Sequence, residues 1–367
     1  MGVVQTTIYH GQAAEQPGFR EAVYTMDYIT IKRDGQEARI PAAEVMPEER
    51  FPWRERKMKT ISLAKLYKKA GFPEYSERAA TCSTWLQYGV TGDDRKLQAV
   101  NFCQLRLCPM CMSRRSRRAA YKLSRVLDMV EAEHGAKFIF LTLTVKNVTG
   151  QELGAALGDL TAAWQRFLGQ RQLERSVKGW FRAIEITRSG ATYHPHIHAI
   201  LAVEPDYFSR ASRQSGKYLN QSDLIERWQK ALRVDYRPSV RIQTTKAKGE
   251  AAAGRAAALE ASKYAVKDED YIDPKLPEEQ AIEILTDYTH ALRRRRLTAF
   301  GGWMKEAAKK LDAEDLEDGD LIHVDEDSIR EDVAELIETY NWHFGVGDYV
   351  LSRRELNPLK VMRKEVV

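Results

Sequence analysis

The sequence predicts an α+β fold in which helices pack against an antiparallel sheet, with elements in the order β-α-β-β-α-β. Three observations support this prediction. In the apolar run 138–145, Thr142 and Thr144 alternate with Leu141, Leu143 and Val145, as in a half-buried strand. Apolar residues recur at helical spacing over 151–168. Two further apolar runs flank a turn-like stretch, 188–190, which predicts a β-hairpin over 181–203.

Two more elements complete the order. A helix is predicted after the hairpin, with Ser222 as its N-terminal cap, and a short strand follows it. Gly169 is a plausible stop for the first helix. The arrangement is the ferredoxin-like split βαβ, which predicts helices on one face of the sheet. The predicted elements are strand 138–145, helix 151–168, hairpin 181–203, helix 222–232 and strand 239–244.

Composition divides the rest of the chain. The N-terminal part is polar and interrupted by proline, so it is interpreted as an extension with little chemistry of its own. The C-terminal part is interpreted as a helical region, with helices over 278–296 and 331–340 and an acidic loop over 313–327. The predicted domains are an extension (1–78), a cysteine-rich segment (79–133), the sheet core (134–275) and the helical C-terminal region (276–367).

Composition also limits the function classes. Hydrophobic residues make up 43% and charged residues 30% of the 367, which is typical of a soluble globular protein. The longest apolar run, 138–145, is too short to cross a bilayer, and no signal-peptide pattern opens the chain, so we expect a cytoplasmic protein without a membrane partner. Gly216-Lys217 is followed by Tyr218 rather than Ser or Thr, so no Walker A motif indicates an ATP motor.

The cysteines suggest a structural metal site. Cys108 and Cys111 form a Cys-x-x-Cys knuckle, Cys103 precedes it by five residues, and Cys82 is the remaining thiol. Four thiolates suit structural Zn²⁺, and a reducing cytosol disfavours disulfides. The spacing between Cys82 and the other cysteines does not itself indicate a zinc site, so four free thiols remain the alternative. A redox Cys-x-x-Cys would need an upstream βαβ context that the sequence lacks.

A basic helix is predicted over 112–133. A net charge of +5 permits a polyanionic partner. Clustered arginines on one helix are typical of phosphate binding, although exposed helices also carry solvated arginines. The candidate DNA-binding residues on this helix are Arg114, Arg115, Arg117 and Arg118.

The hairpin carries a candidate metal site for a divalent ion. His196 and His198 are two residues apart in its second strand, so both imidazoles lie on one face. Glu185 in the first strand faces them if the register allows it. Two imidazoles and a carboxylate can hold a metal while leaving positions open for a substrate. The alternative is a pair of surface histidines, with Glu185 turned away by a bulge.

A second candidate site lies on an alanine-rich helix predicted from about 251 to 267. Glu260, Lys263, Tyr264 and Lys267 fall on one stripe of this helix. The alternative is a core tyrosine beside a solvated, charged helix face.

Three segments, named at the end of this paragraph in chain order, resemble the motifs of plasmid rolling-circle replication initiators. These initiators belong to the HUH endonuclease superfamily. The cysteine and arginine stretch 103–118 is similar to the segment that precedes the first motif. The likeness spans roughly residues 80–325. The motif segments are Phe140-Leu141-Thr142-Leu143-Thr144, Tyr193-His194-Pro195-His196-Ile197-His198 and Lys263-Tyr264-Ala265-Val266-Lys267.

The resemblance implies an enzyme of the single-tyrosine type that nicks one DNA strand at a replication origin. Tyr264 would be the nucleophile, with Tyr271 a weaker second choice, and Glu260 would activate the water that ends the reaction. His196, His198 and Glu185 would hold Mg²⁺ or Mn²⁺.

The core 134–275 would be the HUH nuclease domain, and Lys263 and Lys267 would bind DNA. Implied partners are plasmid origin DNA, single-stranded or as a hairpin, and a host helicase, polymerase and single-strand-binding protein. Alternatives are a related transposase or relaxase, and a non-catalytic zinc protein that binds DNA.

Overall fold

The structure is a computed structural model. It describes residues 7–8, 28–33, 36–41, 45–47, 51–244, 266–324 and 334–358. Within these ranges, the helices are all too short or too polar to cross a membrane.

Helices and strands are interspersed along the described chain. The helices are α1 (Trp53–Lys69), α2 (Pro73–Thr81), α3 (Pro109–His134), α4 (Gly150–Leu168), α5 (Arg171–Ser176), α6 (Arg210–Gln214), α7 (Gln221–Leu232), α8 (Glu269–Ile272), α9 (Glu278–Ala291) and α10 (Trp303–Lys310). The strands are β1 (Thr7–Ile8), β2 (Tyr28–Arg33), β3 (Gln36–Pro41), β4 (Trp85–Thr91), β5 (Asp94–Val100), β6 (Lys137–Thr144), β7 (Val177–Ser189), β8 (Thr192–Val203), β9 (Val240–Thr244), β10 (Thr298–Gly302), β11 (Leu336–His343) and β12 (Asp348–Leu356).

The central sheet has five strands in the order β10-β7-β8-β6-β9, and every neighbouring pair is antiparallel. The prediction of an α+β fold with an antiparallel sheet is confirmed. The predicted cap of α7 is wrong: the helix begins one residue earlier, and Asn220 caps it. The Asn220 side chain accepts from the Asp223 backbone N–H, and the Asp223 carboxylate accepts from the Asn220 N–H. This reciprocal pair satisfies two backbone N–H donors, whereas a serine cap alone would satisfy only one of them.

Helices pack on both faces of this sheet, so the prediction of helices on one face is wrong. On the first face Leu141 and Leu143 pack in one core with Trp164 of α4 and Trp228 of α7. On the second face α3 and α10 bury an apolar cluster against the sheet. The α3 residues of this cluster recur at helical spacing, so the helix has an apolar stripe beneath its arginines. The cluster includes Leu123, Val126, Leu127, Phe140, Phe181, Ile200, Met304 and Ala307.

A second antiparallel sheet, in the order β12-β11-β4-β5, joins the C-terminal strands to the cysteine-rich segment. The predicted helix over 331–340 is therefore wrong, because residues from Leu336 onward form β11. Glu338, Tyr340 and Trp342 alternate as buried residues along it, which is the period of a strand. The C-terminal region is thus only partly helical, in α9 and α10.

The other terminal predictions also change. Helix α9 ends at Ala291, before the arginine cluster that was predicted to end it. Helix α1 lies in the stretch interpreted as an extension, yet Trp53, Leu63 and Tyr67 belong to the main core. Residues 313–324 are loop, as predicted for the acidic stretch.

A substitution at Tyr349 tests whether β12 packs on the cysteine-rich segment. Its side chain is fully buried, and its hydroxyl donates to the Ser83 carbonyl over 2.8 Å. Tyr349→Phe should lower the free energy of unfolding by about 1–3 kcal/mol, because it leaves a buried acceptor unpaired. Urea unfolding measures this. The control is Tyr121→Phe, because the Tyr121 hydroxyl bonds to no described residue; it should change stability by less than about 0.5 kcal/mol. Equal stabilities of both variants would contradict the docking.

Candidate metal sites and nucleic-acid interface

The register of the hairpin brings Glu185 and the two histidines together. Glu185 pairs directly with His196, and Ala183 pairs with His198. Side chains two apart on one strand, and directly opposite on neighbouring strands, share a face. The irregularity in this pairing lies at Val177–Gly179, at the other end of β7. The bulge that would have turned Glu185 away is thus absent from the pairing around it.

The ligand atoms converge on one point. Glu185 Oε2 lies 2.7 Å from His198 Nε2 and 3.4 Å from His196 Nε2, and the two Nε2 atoms lie 3.1 Å apart. Both histidines are buried, at 7% and 9% exposure. Three donor atoms this close form a group that could hold one divalent ion.

The other ring nitrogens of both histidines have partners of their own. His196 Nδ1 lies 3.1 Å from the His194 carbonyl oxygen, and His198 Nδ1 lies 3.3 Å from Thr142 Oγ1. An Nδ1–H bonded to a carbonyl leaves the Nε2 lone pair free for a metal. The ring of Phe140 stacks on His198 at 5.7 Å between centroids. The first motif therefore orients the His198 ring through Thr142 and Phe140, whereas the His194 carbonyl orients His196.

The electrostatics of the group favour an ionised carboxylate. Burial tends to raise the pKa of Glu185, but hydrogen bonds from His196 and His198 outweigh it and hold the pKa well below its usual value. Burial, together with the charge of His196, lowers the pKa of His194. His194 is not in the converging group, which agrees with leaving it out of the ligand set.

The group lies on the second face of the central sheet, beyond the part that α3 and α10 cover. Thr142 and Thr144 pair with His198 and His196 and are half-buried, whereas Phe140 farther along β6 is buried. The sheet therefore offers the two histidines at its less covered end, where a substrate can approach.

The tyrosine helix of the sequence prediction lies mostly outside the described residues, and Glu260, Lys263 and Tyr264 fall there. Lys267 is described and exposed. Tyr271 is fully buried, and its hydroxyl donates to the Leu107 carbonyl over 2.7 Å. Burial raises the pKa of Tyr271 well above its ordinary value, so this phenol is a poor nucleophile.

The four cysteines form a second group. The Sγ atoms of Cys82 and Cys111 are 3.7 Å apart, those of Cys82 and Cys108 are 3.7 Å apart, and those of Cys103 and Cys111 are 3.6 Å apart. A tetrahedral ion with Zn–S bonds of about 2.3 Å requires sulfur separations of about 3.8 Å. The thiols therefore have the spacing of a four-coordinate metal site.

Partners around the thiols include two residues that the sequence did not point to, Thr60 and Lys57. The Cys103 backbone N–H donates to Cys82 Sγ over 3.4 Å, and Thr60 Oγ1 lies 3.6 Å from Cys108 Sγ. Lys57 of α1 is fully buried, and its ammonium donates to the carbonyls of Cys82 and Ala80. A buried cation beside the cysteines would offset part of the negative charge that thiolates carry.

The arginines of α3 have internal partners. Arg114 donates to the carbonyls of Leu321 and Ile322, at 2.8 and 2.6 Å. Arg115 donates to the Glu317 carbonyl, and Arg118 donates to the Asp318 carbonyl, each over 2.6 Å.

Arg114 and Arg118 are also buried, at 5% and 7% exposure. The guanidinium of Arg117 lies over the ring of Phe51. Arg114, Arg115 and Arg118 attach the acidic loop to α3 through its backbone carbonyls, and no sequence signal marks these acceptors. Their role in binding DNA stays a prediction.

Comparisons with known proteins identify the family of the chain. The family model described as Rep_1, Replication protein, matches residues 94–350. A "Protein rep" of Streptococcus pneumoniae serotype 2 is 34% identical over 282 residues, which cover 75% of this chain and 84% of that protein. A "Protein rep" of Bacillus amyloliquefaciens is 32% identical over 324 residues, covering 82% and 93%.

A "Replication protein" of Staphylococcus aureus is 36% identical over 222 residues, covering 59% of this chain and 92% of that protein. No solved structure matches the chain. The match to the family model covers more than half of the chain, and the resemblance to plasmid replication initiators is confirmed. The chain belongs to the Rep_1 family of replication proteins.

Proposed function

We propose that this replication protein nicks one strand of DNA at a plasmid origin, with Tyr264 as nucleophile and a divalent metal at Glu185, His196 and His198. The observation that carries the proposal is the convergence of the carboxylate and two Nε2 atoms at the less covered end of the sheet. Membership of a replication-protein family supports a DNA substrate. The HUH nuclease core is then the central sheet with α4 and α7.

The reaction is a transfer of a phosphoryl group. The Tyr264 oxygen attacks the phosphorus and loses its proton, and the bond from phosphorus to the 3′ oxygen breaks. The 5′ phosphate is then joined to tyrosine, and the 3′ oxygen takes up a proton to become a free hydroxyl primer. A Mg²⁺ or Mn²⁺ ion would withdraw charge from the scissile phosphate. Glu185 is held ionised, and the Nδ1 contacts of both histidines would leave their Nε2 atoms available to hold such an ion.

The path of the chain supports the assignment of Tyr264 as the nucleophile. Val266 is buried and lines the same cavity as Ala183 and Ile184 of β7. Ala183 lies two residues before Glu185 and on the same face. The chain two residues after Tyr264 therefore lines the same cavity as the strand that carries the carboxylate ligand. The exposed Lys267 lies next to this segment, where it can contact a DNA phosphate, and Lys263 has the same proposed role.

Glu260 stands one helical turn before Tyr264 in the predicted helix, about 5–6 Å from it at Cβ. This spacing lets its carboxylate accept a proton from the water that hydrolyses the phosphotyrosine. A phenol has a pKa near ~10, so a nearby cation must favour the phenolate during nicking. The metal and the flanking lysines can do this.

Two alternatives use the same residues. A transposase or relaxase would share the chemistry, but the replication-protein family favours an initiator. A non-catalytic zinc protein would bind DNA without cutting it. Origin DNA is the proposed partner, and a host helicase, polymerase and single-strand-binding protein would extend and cover the displaced strand.

The thiol group has a separate proposed role as a structural Zn²⁺ site. Cys108→Ser should abolish zinc binding and lower the melting temperature, since structural zinc can contribute ~10–16 kcal/mol of apparent binding energy in small modules. Metal analysis and thermal unfolding measure both effects, with chelator-treated wild type as the comparison. Wild-type protein purified without chelator but containing less than half an equivalent of zinc would contradict the site.

Replacing one of the two histidines tests whether cleavage depends on the proposed metal site. His198→Ala should reduce cleavage of a single-stranded origin oligonucleotide at low Mn²⁺ by ~100-fold or more, because changes even outside the direct ligands often cost ~10–100-fold. Origin binding should change little. His323→Ala, in an exposed loop, is the matched control and should cleave normally. Undiminished cleavage by His198→Ala would remove the metal site from the mechanism.

The roles of Tyr264 and Glu260 can be separated on one denaturing gel. Tyr264→Phe should form no covalent protein–DNA adduct, because the nucleophilic oxygen is gone. Glu260→Gln should still nick, but it should accumulate the adduct, because loss of a general base commonly slows its step by ~10²–10⁴-fold. Loss of nicking in Glu260→Gln would instead assign the glutamate to activation of the tyrosine. Adducts formed by Tyr264→Phe would refute the proposed nucleophile.

A further inference from the structure

An open cleft of about 750 Å³ lies away from both metal groups, between the end of α4, the short α5 and helix α7. We call it the basic cleft. Its charged side chains are all cations. The residues lining it are Gly169, Gln170, Arg171, Gln172, Arg175, Ser215, Gly216, Arg227 and Lys230.

The positive charge of the basic cleft is not compensated. Arg171, Arg175 and Lys230 are exposed, and no carboxylate of the described chain lies within ion-pair distance of them. Glu174 and Glu226 are near in sequence but do not line the cleft. Some other cations have acidic partners: Lys217 pairs with Glu204 and Asp206, and the exposed Lys310 pairs with Glu133.

Arg227 is held in place without being neutralised. Its guanidinium donates to the side-chain oxygens of Gln170 and Gln172, which carry no charge, and its buried Nε has no partner among the described residues. Arg171 and Arg175 stand four residues apart on α5, and like charges at that spacing destabilise a helix. Such an arrangement is typical of a surface whose counter-charge comes from a ligand.

The lining also indicates the form of the polyanion. Sites for single-stranded nucleic acid usually combine cations with aromatic side chains on which bases stack. None of the residues lining the basic cleft is aromatic. Amide, serine and glycine groups beside arginines instead match contacts to phosphates and sugars, which position a duplex without reading its bases.

The position of the cleft separates it from the nick site. Helix α5 leads into β7 at Val177, and Glu185 stands eight residues farther along that strand. At about 3.4 Å per residue, this is about 27 Å along the strand. Helix α7 packs through Trp228 on the sheet face opposite the histidines. DNA in the cleft would therefore leave the metal group open to a separate strand.

We propose that the basic cleft binds the sugar–phosphate backbone of duplex DNA next to the nick site. The cleft would anchor the protein on the double-stranded part of the origin, while a single strand reaches the metal group. The biological role rests on the proposed nicking function, but duplex binding does not.

The test uses the full-length protein with Arg171→Gln and Arg175→Gln combined. Both side chains are exposed, and neither contacts the nuclease metal group, so the fold and the cleavage of a single-stranded oligonucleotide should be unchanged. Affinity for a duplex origin fragment, measured by fluorescence anisotropy at several salt concentrations, should fall. The slope of log affinity against log salt should become shallower by about two units, following the release of two phosphate counterions. Arg171→Glu with Arg175→Glu should weaken duplex binding further.

The control is Lys65→Gln with Lys68→Gln, which removes two exposed charges from α1 and should leave the salt slope unchanged. An unaltered slope in the arginine variant would overturn the proposal, and so would a slope that falls equally in the control. Equal losses of affinity for duplex and single-stranded probes would also overturn it, because the cleft would then be a binding site for single-stranded DNA. Absent cleavage by the wild-type protein would refute the proposed nicking while leaving the duplex measurement valid.

Discussion

The pairing register between β7 and β8 is the constraint on which the candidate nuclease site depends. Because side chains alternate with a period of two, a slip by one residue would move Glu185 to the apolar face and His196 out of its reach. The packing of the opposite face opposes such a slip. Ile184, Ile186 and Ile197 are buried on the opposite face, and exposing them would cost roughly 1.5–3 kcal/mol for each side chain. The same packing that stabilises the sheet thus fixes the positions of the three ligand atoms.

Local periodicity was sufficient to predict the central elements. Helix α4, strand β6 and the hairpin each carry their pattern within fewer than 25 residues, and their bounds differ from the prediction by a few residues at most at each end. Strand β11 was mistaken for a helix although it pairs with β12 directly after it; only its pairing with β4, about 250 residues earlier, leaves no local pattern. The arginines of α3 were interpreted from their charge alone. Their carbonyl partners lie some 200 residues away, and backbone acceptors leave no mark in a sequence.

Among the candidate site residues too, some could be predicted from local sequence and others depend on contacts between distant parts of the chain. His196 and His198 could be assigned to one face from their spacing, and Glu185 followed from a hairpin with a short turn. Cys82 could not be assigned from spacing, because a loop and a hairpin separate it from the knuckle; folding brings its sulfur to 3.7 Å from that of Cys108. Lys57 and the basic cleft were missed because each depends on helices that meet only in the folded chain. Burial and the absence of acidic neighbours identify them, and a sequence shows neither.

The position of β11 has a consequence for synthesis of the protein. It lies between β4 and β12, so β4 gains its second neighbour only from the last part of the chain. A nascent chain still holding residues 336–356 inside the ribosome exposes β4 as an open edge beside the thiol cluster. Open edges pair readily with other chains. The cysteine-rich segment therefore passes through an aggregation-prone stage whose length is set by the time needed to translate the rest of the message.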